Sequence, residues 1–293
     1  MGAGRQGAGR DSAVNCEKPN KINMLRYILL TGLWLGITLL TVPMPASAAA
    51  SVFIEELTWV EVRDAIKTGK TTIIFPTGGT EQNGPHMVLG KHNFIVKHAA
   101  GEIARRLGNA LVAPVLAYVP EGDIQPPTGH MLFPGTITLP EAHFIKVTEY
   151  AARSFRVNGF KDIVLIGDSG PNQKGLQAAA TLLNKEWAGS GVRVHYIGSY
   201  YDTPAYANWL QQQGETARDI GTHAGIEDTS ELMAIRPDLI RTDKLAPGGD
   251  FAVTGVAGNP ARANARYGKQ GLEFRISAAV AQIQKSIAGN TAK

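Results

Sequence analysis

Ile73-Ile74-Phe75-Pro76-Thr77-Gly78-Gly79-Thr80-Glu81-Gln82-Asn83-Gly84-Pro85-His86, continuing through Gly90 to Lys91-His92-Asn93, passes from an apolar β-branched run into Pro, Gly and polar residues. That order predicts a buried strand, Thr71 to Phe75, delivering a polar loop at its carboxyl end. In an α/β protein such loops are where chemistry is placed. Glu81, His86 and His92 are spaced at neither helical nor alternating intervals, so only a loop that folds back brings them together. Their oxygen and nitrogen atoms suit zinc, manganese or iron, and they read as a half-site for a metal; ordinary loop polars or helix caps are the competing reading.

Outward from this stretch, strands and helices alternate. Glu56 to Lys67 has helical spacing with Thr58 as a candidate N-cap and Gly69 as a stop. Phe94 to Leu107 is a helix closed by Gly108, and Ala110 to Tyr118 is a strand that Pro114 assigns to an edge or an end. Val119 to Thr138 is a long Pro- and Gly-rich loop carrying His130, a kind of segment more often functional than accidental. A helix over 140–157, a fully buried strand over 162–166, a helix over 174–187 and a strand over 192–197 follow. Helices over 205–213, up to Ile235, and over 268–287 complete the chain. The pattern implies an α/β three-layer sandwich with a largely parallel central sheet, its polar loops converging on one edge.

The first 48 residues read differently. Met24 and Leu25-Arg26 precede an apolar run from Tyr27 to Val42 and an Ala-x-Ala cut site at Ala46-Ser47-Ala48, the composition of a secretory signal peptide. The run is shorter than the roughly 20 residues of a membrane span, and an uncleaved anchor is the alternative. Met24 is the expected true start, and residues 49–293 are expected to form a single exported domain, periplasmic or secreted. Residues 1–50 hold five basic and two acidic residues, so the net +4 of the whole chain falls to +1 beyond them. Nothing in that balance points to nucleic acid. The lone cysteine, Cys16, lies in the leader, so the exported domain relies on its core without disulfides.

Two further segments carry candidate chemistry. His223-Ala224-Gly225 precedes Glu227, Asp228, Thr229 and Ser230 at the start of a helix. His223 can act as general base or ligand, whereas Asp228 or Thr229 can equally cap the helix. Gly167-Asp168-Ser169-Gly170 follows the buried strand: its backbone amides suit an anion and Asp168 a metal, but Pro171 breaks the Gly-x-Ser-x-Gly elbow of a serine nucleophile. His130 reads as a pocket residue or as a solvated one.

Taken together, the segments resemble the creatininase (creatinine amidohydrolase) family across the whole exported chain. The resemblance rests on Pro76-x-Gly78-x-x-Glu81-x-x-Gly84-Pro85-His86 with Leu89-Gly90, on Phe133-Pro134-Gly135-Thr136, on Gly159-Phe160 leading into a strand and a Gly-rich turn, and on His223-Ala224-Gly225 with Thr229-Ser230. It implies an α/β fold, a homohexamer, a small-molecule substrate and a two-metal site that activates water against an amide C–N bond. The departures fall on the ligands. The family's Glu-x-His-Gly-Pro-His loop ends in a bridging Asp; here Asn83 stands at the first His and His92 at the Asp. Ser169 and Pro171 replace a His and a Glu, and Ile226 and Asp228 replace two Glu.

Loss of the bridging carboxylate removes the charge that lets two dications sit close together, so the expectation is one divalent metal, zinc, manganese or iron, or none. Glu81 and His92 are its expected ligands, with Asp168 or His223 completing the shell. His223, His86 and Glu227 are the expected proton-handling residues, and Asn83, His130, Ser169 and Asp228 the expected pocket. The expected activity is hydrolysis of an amide, lactam or lactone. A non-catalytic periplasmic binding or scaffold protein on the same fold is the alternative.

Overall fold

A computed structural model describes residues 51–202 and 204–291; the expected leader lies outside them. Four strands, β1 (Thr72–Thr77), β2 (Ala110–Val112), β3 (Asp162–Gly167) and β4 (Arg193–Tyr196), form one sheet in the order β2-β1-β3-β4. Every pairing is parallel. The edge position expected from Pro114 is thus occupied by β2, which stops at Val112, two residues before the proline.

Nine α-helices surround the sheet among the described residues: α1 (Trp59–Lys67), α2 (Lys91–Leu107), α3 (Glu141–Asn158), α4 (Asn172–Glu186), α5 (Pro204–Gln212), α6 (Ala217–Ile220), α7 (Ile226–Ile235), α8 (Phe251–Thr254) and α9 (Ala265–Thr291). The two-residue period of a strand sorts its side chains into two cores. Ile74, Val112, Val164 and Ile166 pack with Ile95, Ala99, Ile103, Leu232 and Ile276 of α2, α7 and α9. Ile73, Phe75, Leu111, Ile163 and Leu165 pack on the other face with Phe144, Ala152, Leu176 and Leu183 of α3 and α4. Both faces of the sheet are covered, which explains why the strands carry no polar alternation. Each fully buried Ile or Leu contributes on the order of 2 kcal/mol.

Register matters here because it aligns the loops. Thr77 pairs with Gly167 at the carboxyl ends of β1 and β3. Asn172 Nδ2 donates to Thr77 Oγ1 (3.0 Å) and to the Gly78 carbonyl (2.8 Å), tying the two loop starts together. In the order β2-β1-β3-β4 the chain leaves β1 and β3 toward opposite sides, so a crevice opens between their carboxyl ends.

Helix ends differ from expectation in instructive places. α1 begins at Trp59, where Thr58 Oγ1 accepts from Glu61 N and Glu61 Oε2 accepts from Thr58 N, a complete capping box at the expected cap. α2 begins at Lys91, three residues before Phe94. His92 therefore stands in a first helical turn, where its backbone is fixed, rather than in the loop. α9 runs to Thr291, longer than the expected 268–287.

Candidate active site

A cavity of about 530 Å³ opens at the crevice between β1 and β3, lined among others by Glu81, His130, Asp168, His223, Asp228 and Phe251. Glu81 is 2% exposed and is its electrostatic centre. The loop after β1 is held by three bonds from its own and a neighbouring segment: Glu81 N donates to the Leu89 carbonyl (3.1 Å), Gly79 N to Asn93 Oδ1 (3.1 Å) and Gln82 N to Thr136 Oγ1 (3.1 Å).

Around Glu81 the expected metal trio comes together as a hydrogen-bonded chain. His92 Nδ1 lies 2.7 Å from Asp168 Oδ2 and His92 Nε2 lies 2.8 Å from Glu81 Oε1. Both ring nitrogens are therefore engaged by carboxylates. Burial and the neighbouring Lys91 ammonium oppose a charge on this ring. The Glu81 carboxylate and the bonds to Asp168 and Glu81 prevail and raise it to about 9. Asp168 is likewise occupied: its Oδ1 accepts from Tyr200 Oη (2.7 Å) and Arg275 Nη1 (3.1 Å). Asp168, His92 and Glu81, the expected ligand trio, thus form a chain in which Asp168 orients His92 and His92 orients Glu81.

Two other imidazoles also approach Glu81. His130 Nε2 lies 3.2 Å from Glu81 Oε2, and His223 Nδ1 lies 3.7 Å from Glu81 Oε1. Ligand atoms of Glu81, His130 and His223 all fall within 4.8 Å of one another, the one set of three or more such residues found close enough for a metal among the described residues. The two imidazole rings lie with centroids 4.5 Å apart and planes tilted by 44°, and Phe251 closes edge-on over both at 6.0 and 5.8 Å. Gln82 supports them from behind: its Nε2 is 3.1 Å from His130 Nδ1 and 3.1 Å from His223 Nε2, and its carbonyl is 2.9 Å from His223 Nε2. Burial lowers both imidazoles, His223 to about 4, so each is neutral at pH 7 and suited to a cation.

The remaining expected residues divide. Ser169, Glu227 and Asp228 line the cavity. Burial raises the Glu227 carboxyl. Asp228 Oδ2 is 2.6 Å from Lys91 Nζ and also accepts from Ala224 N at 2.7 Å. Asn83 and His86 do not line it. Asn83 Nδ2 donates to the carbonyls of Glu81 (2.9 Å) and Val88 (3.1 Å), so it braces the loop instead of facing a substrate. His86, expected to handle protons, is fully buried with Nε2 2.9 Å from Thr229 Oγ1 and is not among the residues lining the cavity.

Lys91, Glu121, Gln82 and Arg275 were not singled out by the sequence. Lys91 carried a signal: it opens a helix whose first turn holds no acidic residue, where the helix dipole disfavours a cation. Burial would strip its proton, and the carboxylates of Asp228 and Glu81 keep it charged. Burial alone would raise Glu81, and His92 and Lys91 hold it well below the usual carboxylate range. Glu121 lies beside it, pushed up to about 11 by burial and the Glu81 charge, and hence neutral. Gly79 makes room for that carboxyl: a Cβ there would stand 2.3 Å from Glu121 Oε1.

A family model described as creatinine amidohydrolase matches residues 55–283. The creatinine amidohydrolase of Pseudomonas putida is 30% identical over 200 residues, covering 67% of this chain and 76% of that one. The mycofactocin precursor peptide peptidase of Mycolicibacterium smegmatis is 29% identical over 221 residues, covering 68% and 78%. A solved glutamate-to-glutamine creatininase mutant of the Zn–Zn type superimposes with a TM-score of 0.67 at 27% identity, covering 81% of this chain and 99% of that one. The chain belongs to the creatininase family.

Proposed function

We propose that this chain hydrolyses an amide-type C–N bond in a small, polar, non-peptide substrate, using a single divalent cation held by Glu81, His130 and His223. The observation that carries the reading is the convergence of one ionised carboxylate and two neutral imidazoles on the floor of a cavity of small-molecule size. A carboxylate with two imidazoles suits zinc, manganese or iron. When bound, such a cation supplies a nucleophilic water at neutral pH and polarises the carbonyl under attack.

The chain's own residues do the rest. Asp168 and His92 fix one oxygen of Glu81 and leave the other facing His130. Gln82 fixes both imidazole rings from the side away from Glu81. Phe251 covers the two imidazole rings edge-on. Glu227, whose raised carboxyl retains a proton more readily than an exposed one, lies on the cavity wall to protonate the departing amine. A lactone, with oxygen as the leaving atom, fits the same geometry.

The leader between Met24 and Ala48 supports export to the periplasm or beyond, and the family resemblance supports a homohexamer. N-terminal sequencing of the protein recovered from its host and light scattering of the purified chain check these two points. The activity is tested on a panel of lactams, small linear amides and lactones. Turnover lost at least 10³-fold in Glu81→Ala, with the fold retained by circular dichroism, is the expected result. Turnover that survives in Glu81→Ala contradicts the reading.

A further inference from the structure

Lys91 is 1% exposed, and its ammonium lies 2.6 Å from Asp228 Oδ2 and 3.8 Å from Glu81 Oε1. An ammonium taken out of water without a partner is penalised by several kcal/mol, so this placement exists only because two carboxylates meet it. Those carboxylates come from distant parts of the chain, the loop after β1 and the first turn of α7. Their meeting around a common positive charge is the arrangement that a bridging cation ordinarily imposes. Here the charge is covalently attached to the chain. The balance extends across the cavity wall: carboxylates at Glu81, Asp168 and Asp228 face Lys91, His92 and Arg275.

We infer that Lys91 is a resident cation that occupies the Asp228 side of the centre and closes it to a second metal ion, so that an exchangeable dication is confined to Glu81, His130 and His223. The inference rests on the one-cation reading above and explains it. A Zn–Zn relative holds two dications on this fold. In this chain an ammonium already neutralises Asp228 and one edge of Glu81, and it would repel a dication placed beside it. Lys91 is therefore a positioning residue: it fixes Asp228, which in turn accepts from the Ala224 amide next to His223.

The test is a Mn²⁺ titration by calorimetry on the wild-type chain and on Lys91→Ala, Lys91→Arg and the double variant Lys91→Ala/Asp228→Asn, each checked for fold by circular dichroism. Lys91→Ala is expected to take one equivalent more than the wild type. Lys91→Arg, which keeps the charge, is expected to bind as the wild type does, and the double variant to lose the extra equivalent. A folded Lys91→Ala whose stoichiometry matches the wild type, with affinity within threefold, overturns the inference. Should Lys91→Ala fold but prove too unstable for calorimetry, its melting with and without Mn²⁺ decides. A metal-dependent rise exceeding the wild type's by about 5 °C supports the inference, and an equal or smaller rise overturns it. The wild-type titration reports separately on the one-cation reading: no binding by the wild type with one equivalent bound by Lys91→Ala removes that reading and leaves the role of Lys91 standing.

Discussion

Glu81 is surrounded by three imidazoles, an ammonium and a protonated carboxyl, and its properties follow from that company rather than from its own pKa. His86, by contrast, is a histidine that the fold keeps uncharged. Burial, together with the nearby Lys91 ammonium, lowers it to about 4, against 6.5 in the unfolded chain. Between those values the unfolded chain binds the proton and the folded chain does not, so stability falls as the pH drops through this window. The loss attributable to His86 is at most about 3 kcal/mol. Urea denaturation at pH 6.5 and pH 4.5 is expected to show a steeper loss for the wild type than for His86→Asn; equal losses would remove the assignment.

Elements position these residues more than local sequence does. Because α2 starts at Lys91, its first turn places Lys91 and His92 on the cavity wall, and Asn93 Oδ1 then accepts from Gly79 N to fold the loop back. The β-α alternation, the buried strands and the Thr58 cap were legible because each rests on short-range patterning: continuous apolar runs, helical spacing, a Thr-x-x-Glu box. The role of Lys91 was not, because a buried lysine is defined by partners far along the chain. The sequence around His92 reads as that of a ligand, whereas the engagement of both its nitrogens depends on Asp168, which arrives from the loop after β3 far along the chain. His130 lay in a loop with no periodicity, and nothing local distinguishes a ligand there from a solvated residue. The packing of α9 on α7 gives a test at this scale. A Cβ on Gly268 would meet the Ser230 carbonyl oxygen at 1.8 Å and the Glu231 amide nitrogen at 2.7 Å, both backbone atoms that cannot swing aside. Gly268→Ala is expected to destabilise the chain by about 3 kcal/mol in denaturant unfolding. A change below about 0.5 kcal/mol, the range of an ordinary surface substitution, would show that the two helices are not so closely packed.

Across the whole molecule, the fold supplies a crevice at the point where chain leaves β1 and β3 in opposite directions, and the sequence fills it with its own charges. Family membership accounts for the architecture, and within it Asn83 braces the loop, His92 links Asp168 to Glu81 and Ser169 lines the cavity. On this account, Glu81, His130 and His223 hold the cation, and the chain itself carries positive charge beside them at Lys91 and His92. The most direct check is the metal content of the purified chain after equilibration with Zn²⁺ or Mn²⁺ and removal of free ion, measured by elemental analysis. The account predicts one equivalent for the wild type and less than a tenth of an equivalent for His130→Ala/His223→Ala. Two equivalents in the wild type, or one retained when both histidines are gone, would contradict it.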